Sequence, residues 1–113
     1  MEIRLMIDEI ELGLIKFIGG KYWFFANSDN IKKAQQKKPV EMKFYSLPHE
    51  GMISSNLPFD FLSEHIAAFN RKDLIKAAGI EEGDSEFEKL YKLAGVEFVE
   101  NQIFKLEKVL KSK

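Results

Sequence analysis

The chain has 113 residues, a length at which one domain can bury a substantial core. Its 17 basic and 18 acidic side chains nearly balance, which argues against a general nucleic-acid binder without excluding a local basic patch. The absence of cysteine excludes disulfides, thiolate metal sites and cysteine nucleophiles. No secretory signal and no apolar segment of the ~20 residues needed for a membrane span is visible, so we expect a cytoplasmic protein that does not bind membranes.

The first quarter of the chain predicts a β-meander. Apolar and polar residues alternate over residues 3–7 and again over 10–17, as they do in strands with one buried face. An aromatic-dense segment follows at 21–25. Gly19 and Gly20 stand between the last two segments, and both tolerate the positive φ of a two-residue hairpin turn. We therefore expect three sequential antiparallel strands.

A short helix and a fourth strand are expected next. Ser28 is the predicted N-cap of a helix with one apolar face. Pro39 ends that helix, because the residue before a proline resists the α region. Apolar residues at alternate positions from 40 to 44 predict the fourth strand. Residues 47–57 are predicted to be the longest irregular segment.

The second half of the chain is predicted to be helical. Apolar residues recur at helical spacing between 58 and 95, and Ser85 with Glu88 three residues later forms a capping box. The end of the chain fits a hairpin followed by a Lys-rich tail, although residues 102–110 also fit one face of a helix.

Together these elements predict one α+β domain spanning residues 1–113. It would be mainly β over 1–46 and mainly α over 58–95, with the hairpin and tail over 96–113. The meander and the fourth strand would form an antiparallel sheet, and two to three helices would pack on it.

The residues offer no recognisable catalytic arrangement. His49 and His65 are the only histidines, and their spacing fits no standard pair of metal ligands. No serine lies in the Gly-x-Ser-x-Gly motif of a nucleophile elbow. The carboxylates between 81 and 88 lie at a helix N-terminus, where they complement the helix dipole. We predict no enzyme activity, no metal site and no cofactor.

Two features are candidate binding surfaces. Basic side chains near the aromatics of the third strand could bind a nucleic-acid backbone with base stacking, although a solvated helix face is the more ordinary interpretation. These are Lys32, Lys33, Lys37, Lys38 and Lys43. The apolar run 57–62 is expected to be buried at a helix start, with a protein-binding patch as the alternative. The partner-binding residues predicted on that alternative are Trp23, Phe59, Phe61 and Leu62.

Several short motifs carry a family resemblance. They are Leu12-Gly13-Leu14-Ile15, Gly20-Lys21-Tyr22-Trp23-Phe24, Phe44-Tyr45-Ser46-Leu47-Pro48, Pro58–Ile66 and Asp84–Gly95. From residue 12 to about residue 98 their order and spacing resemble the N-terminal subdomain of HipA toxins and its free-standing relative HipS. Ser63-Glu64-His65 departs from the leucine-rich end of the family motif. A similar module precedes HIRAN domains in small bacterial proteins, and residues 47–95 resemble that module as well.

The resemblance implies a non-enzymatic partner module. In HipA proteins the subdomain covers the nucleotide-binding lobe of the kinase, and as a separate protein it acts as an antitoxin or regulatory subunit. No kinase motif occurs in these residues, so the resemblance implies action in trans on a HipA-like Ser/Thr kinase encoded nearby. The likeness to HIRAN-type proteins implies an alternative, a nucleic-acid-associated accessory module that uses the lysines.

Overall fold

A computed structural model describes residues 1–43, 47–96 and 103–110. Within these residues five strands form one antiparallel sheet: β1 (Glu2–Ile7), β2 (Ile10–Ile18), β3 (Lys21–Ala26), β4 (Met52–Ser55) and β5 (Lys105–Lys108). Their order across the sheet is β4-β3-β2-β1-β5. The predicted meander is confirmed, and Gly19 and Gly20 form its second turn with φ of 62° and 77°. The α+β fold class is confirmed.

The helical segments are short. They are α1 (Ser28–Lys37), α2 (Pro39–Met42), α3 (Ser63–Ala67), α4 (Lys72–Ala78) and α5 (Glu86–Leu93), and 3₁₀ turns at Asp60–Leu62 and Ala68–Asn70 flank α3. The N-cap of α1 is Asn27 and not Ser28, since the Asn27 Oδ1 accepts the Asn30 N–H at 3.2 Å. In the described parts of the chain, no helix combines the length and apolarity needed to cross a bilayer.

The predicted fourth strand at 40–44 is wrong in its position. Residues Pro39–Met42 form a helical turn that buries Met42 and leaves Val40 exposed. Proline suits the first position of a helix, because its fixed φ is helical and its missing N–H would have no partner there. The fourth strand is instead β4, inside the segment predicted to be irregular, and it pairs antiparallel with β3. Residues 44–46 lie outside the described part of the chain.

The C-terminal segment contains a strand and not a helix over Lys105–Lys108. This strand, β5, pairs antiparallel with β1, so that Leu106 lies opposite Leu5. The predicted hairpin partner of this segment falls largely on residues 97–102, which lie outside the described residues. The ambiguity over 102–110 is thus resolved in favour of a strand for 105–108.

One face of the sheet carries the core. Strand residues on this face pack with buried side chains from α1, α2 and α5 and from the turn before α3. The fully buried members include Ile3, Leu5, Ile15, Phe24, Ile31, Leu62 and Leu90. A smaller cluster joins α4 to α5 through Leu74 and Leu93. None of the side chains that β2 and β3 direct to the opposite face belongs to either cluster.

Gly13 marks a close approach between β2 and β3. A Cβ at this position would lie 2.6 Å from Cζ of the Phe24 ring and would also collide with the carbonyl oxygen of Phe25. A backbone oxygen held in a sheet cannot rotate away as a flexible side chain can. The glycine of the Leu-Gly-x-Ile motif therefore has a physical cause, which is the packing of Phe24 over the β2 backbone.

We predict that Gly13→Ala lowers the free energy of unfolding by about 1–3 kcal/mol or more, because overpacking a filled core forces backbone shifts. Denaturant midpoints measure the change. Gly19→Asn is the control, since this position has open space around it and Asn-Gly is a preferred pair in a turn with positive φ at both residues. The control is expected to stay within about 0.5 kcal/mol of the wild type. Equal midpoints for Gly13→Ala and the wild type would contradict the close approach.

Candidate functional site

The predicted partner-binding residues separate into two environments. Phe61 is 3% exposed and Leu62 is fully buried. The ring of Phe61 stacks on Phe59 with centroids 5.2 Å apart and meets Phe24 edge-on at 5.2 Å. The structure therefore corrects the assignment of Phe61 and Leu62 to a binding patch: they are core residues, as the burial interpretation of the run 57–62 expected. Phe59 is partly buried against the same core.

Trp23 lies on the opposite face of the sheet, within a continuous apolar strip. The pairing register places Leu14 opposite Phe25 and Phe25 opposite Met52, so these side chains share that face with Trp23. The rings of Trp23 and Phe25 stack with centroids 6.3 Å apart. Met52 is 60% exposed, and the other three are partly exposed. We call Leu14, Trp23, Phe25 and Met52 the outer-face strip.

The sequence contained a signal for this strip that the prediction did not use. β3 has aromatic residues at four consecutive positions, 22 to 25. Successive side chains in a strand point to opposite faces, so an aromatic run in an antiparallel sheet makes both faces apolar. Tyr22 and Phe24 fill the core, and Trp23 and Phe25 line the outer face.

Two ion pairs lie on the outer face. Lys16 approaches Glu2 at 3.6 Å, and Arg4 Nε lies 2.9 Å from Glu11 Oε1. The Lys16 ammonium also lies 5.1 Å from the centroid of the Phe25 ring, a cation–π arrangement. Exposed ion pairs contribute little to stability, but they cancel the local charge. Two neutralised ion pairs thus border the strip on the side of β1, and the exposed Lys21 lies two residues before Trp23 on β3.

The five lysines do not join the aromatics of β3. Ile31 and Ala34 of α1 pack into the core, so this helix lies on the face of the sheet away from Trp23. Tyr22 is buried, and Lys38 contacts Asp8 at 3.5 Å. The expected interleaving of basic and aromatic side chains is therefore corrected. The remaining members of the set are exposed on the helical side: Lys32, Lys33, Lys37 and Lys43.

The acidic residues between 81 and 88 have structural contacts. Asp84 accepts hydrogen bonds from the Glu81 N–H at 2.8 Å and from the Lys92 ammonium at 2.6 Å, and these contacts, the first most strongly, lower the pKa of its carboxyl group. Ser85 and Glu88 form the predicted capping box. These contacts secure the N-terminus of α5, as the prediction of a capped helix expected.

Tyr22 and Glu86 form a hydrogen bond between the sheet and α5. The Tyr22 hydroxyl donates to Glu86 Oε1, and the Tyr22 ring contacts the rings of both Phe17 and Phe87. Burial is the main cause that raises the pKa of Tyr22, and the hydrogen bond and negative charge of Glu86 add to it. The phenol therefore stays neutral and holds α5 against the sheet.

His65 lines a cleft of about 250 Å³ at the other end of the sheet. The lining residues are Met6, Asp8, His65, Gly95, Val96, Lys105, Leu106 and Glu107. Burial lowers the pKa of His65 to about 4, so the imidazole is neutral at pH 7. Among the residues that the structure describes, no three His, Asp or Glu side chains are grouped to hold a metal ion.

Comparison with protein-family models, with curated proteins and with solved structures finds no match for this chain. The resemblance to the HipA N-terminal subdomain accordingly stays a prediction from short motifs. The outer-face strip is the candidate functional site, because it combines exposed apolar side chains with paired charges on a face that the two hydrophobic clusters leave out.

The buried imidazole predicts a stability loss in mild acid. Unfolded His65 takes up a proton below its ordinary pKa of 6.5, whereas the folded protein resists protonation until about pH 4. The free energy of unfolding should therefore fall as the pH drops through this window, by about 2 kcal/mol between pH 7 and pH 5. Denaturant titrations at the two pH values measure the difference.

His65→Gln should remove most of this pH dependence, since the substituted side chain does not titrate. His49→Gln is the matched control, because His49 is exposed and its Nε2 lies 3.0 Å from the side-chain amide of Gln35. That variant should keep the wild-type slope. A wild-type slope that survives in His65→Gln would contradict the assignment.

Proposed function

We propose that this chain is a non-enzymatic protein-interaction module whose outer-face strip binds a protein partner. The observation that carries the proposal is the strip itself, in which Trp23, Phe25 and Met52 lie together on a face outside the core. Aromatic residues and methionine are enriched at the centres of protein interfaces, and lysine and glutamate are depleted there. Clustered exposed apolar surface of this kind marks binding sites.

The pairing of charges supports a protein over a nucleic acid as the occupant. A backbone phosphate would need several available cations beside the aromatics, and two of the outer-face cations, Arg4 and Lys16, are already paired with carboxylates. A protein partner can bury the apolar strip and leave these ion pairs at the rim, where they cost little to keep hydrated. The strip is set in a sheet that helices brace from behind, so binding would require little reorganisation.

The partner that we propose is a HipA-like Ser/Thr kinase, which the module would restrain as an antitoxin or regulatory subunit. Support for this partner comes from the motif resemblance over residues 12 to 98. The proposed location is the cytoplasm of a bacterium, and the bacterial source is what the same resemblance implies. On this proposal, burial of the strip against the kinase would cover a surface that the kinase needs for activity.

The alternative function, nucleic-acid binding by the lysines, has support only from the exposed cations of the helical side. Lys32, Lys33 and Lys37 project from α1 and Lys43 follows α2. Without adjacent aromatics, binding would rest on charge alone and would weaken steeply as salt increases. Salt-dependent retention on DNA or RNA that Lys32→Glu abolishes, together with unchanged partner binding in Trp23→Ala, would favour this alternative.

We predict that Trp23→Ala weakens binding to a HipA-like kinase encoded beside this gene by about tenfold or more, which is about 1.4 kcal/mol. Titration calorimetry on the purified pair gives the affinity. Trp23 is the only tryptophan in the chain. If the partner is a variant without tryptophan, binding should therefore also shift the fluorescence of Trp23. Phe25→Ser should act in the same direction.

Val40→Ala is the matched control for these variants. Val40 is 69% exposed and lies on α2, which packs on the other face of the sheet. Its truncation removes exposed apolar surface of a similar kind without touching the strip, so the affinity should not change. A stoichiometric complex that both Trp23→Ala and Phe25→Ser leave intact would contradict the proposed surface. The absence of any kinase gene nearby would remove the support for the proposed partner.

A further inference from the structure

Strand β4 is an edge strand whose short length of four residues is its main protection against further pairing. It stands at one end of the sheet, with β3 on its inner side. From Gly51 to Leu57 the chain has no charged residue and no proline. Met52, Ile53 and Leu57 are 60%, 36% and 72% exposed. Proteins normally protect such edges with lysine, proline or a bulge, because unpaired backbone groups recruit further strands.

Strand β5, at the opposite edge of the sheet, carries exposed charged residues. Strand β5 exposes Lys105, Glu107 and Lys108, and only Leu106 is buried. Charged side chains along an edge disfavour the approach of a second strand. The two edges of one sheet therefore differ: β5 carries charge, whereas β4 is uncharged.

One hydrogen bond shows which residues of β4 direct their backbone groups toward β3 and which direct them away from the sheet. The Ala26 N–H donates to the Gly51 carbonyl at 2.9 Å, in line with the register that pairs Phe24 with Ile53. Bonded and non-bonded pairs alternate along an antiparallel ladder, so Ile53 also directs its N–H and C=O toward β3. The backbone groups of Met52 and Ser54 consequently point away from the sheet.

We propose that two copies of this chain associate by antiparallel pairing of β4 with β4, about a twofold axis that passes beside Ile53. In this register Met52 of one copy lies opposite Ser54 of the second copy. Those two residues carry the outward backbone groups, so each such pair exchanges both of its N–H···O bonds. Ile53 then lies opposite Ile53 of the second copy in the close, non-bonded pair on the axis.

A second copy is the occupant that the charges favour. A twofold axis sets the same segment against itself, and any charge on the strand would meet or approach its own kind. The segment from 51 to 57 has no charge, so self-pairing incurs no such repulsion. Pairing also joins the two outer-face strips, because Met52 belongs to both the strip and the edge.

The short length of β4 limits the expected affinity of the dimer. Strand β4 has only four residues, and a pairing of this length buries less than the ~800 Å² per partner of a standard interface. We therefore expect a reversible dimer with a dissociation constant in the micromolar range. This inference goes beyond the proposed function, since it does not require the kinase partner.

Sedimentation of the full chain from about 1 to 500 μM tests the association. The average mass should rise from 13.1 kDa toward twice that value as the concentration increases. Met52→Lys and Ser54→Pro should each weaken the dimer by about tenfold or more, because one adds charge to the edge and the other removes an outward N–H. Val40→Lys, a change at a similarly exposed apolar residue, should behave as the wild type.

Far-UV circular dichroism and denaturant midpoints establish that the two edge variants remain folded. A wild-type chain that stays monomeric throughout the concentration range would overturn the proposal, as would a dimer that neither edge variant weakens. A monomer whose edge pairs with an extended strand of a different protein would likewise overturn it in favour of that protein.

The register has its own test, because the chain is free of cysteine. Ile53→Cys should give a disulfide-linked dimer on mild oxidation, since residues in a non-bonded antiparallel pair have Cα atoms ~4.5 Å apart. Ser54→Cys is the matched control. Its two copies would be offset along the strands, beyond the ~7 Å that a disulfide can bridge. Equal cross-linking of the two variants would contradict an axis at Ile53.

Discussion

The ring of Phe24 packs over Gly13, where β2 has no side chain, and the same ring contacts Phe61 edge-on. Phe59 stacks on Phe61, so the segment that leads into α3 is held over β3. The close approach thus does two things at once. It seals the contact between two strands, and it provides the surface on which the second half of the chain packs. A side chain at position 13 would disturb both.

The helices pack on one face of the sheet, so the side chains on the other face contact mainly neighbouring strands. With helices concentrated over Phe24, the outward residues of β2 and β3 pack mainly against each other. Trp23 and Phe25 stack, and Lys16 lies over the ring of Phe25. Such contacts shield the rings in part and leave surface that gains from burial by a partner. The outer-face strip is therefore a consequence of how the core is built.

Much of the fold could be predicted from the sequence because its signals are local. Alternation identified the meander, the glycine pair identified a turn, and the capping box identified the start of α5. The error at 40–44 shows the limit of such signals. A segment of five residues with Met42 at its centre fits a strand by alternation and fits a helical turn by the position of Pro39. Only the tertiary packing of Met42 decides between them.

Pairing between distant segments could not be predicted in this way. The partnership of β5 with β1 joins residues separated by about the whole chain, and no local pattern encodes it. The candidate site was found only in part for a related reason. Trp23 was predicted to be a partner-binding residue, but Leu14 and Met52 join it only through the register of three strands. Phe61 and Leu62 are as apolar as Trp23, and only their burial excludes them.

The failure to predict β4 and its availability to another strand have one physical origin. A strand buried on one face shows an alternation of apolar and polar residues, because selection acts on the buried side. β4 buries little of any side chain, so the sequence Met52-Ile53-Ser54-Ser55 has no such pattern. Because β4 buries so little side-chain surface, it is attached to the domain mainly by its backbone hydrogen bonds to β3 and by the adjoining Ala26–Gly51 hydrogen bond. A neutral strand held in this way has half of its backbone groups directed outward, and a second strand is the structural element that satisfies them in register.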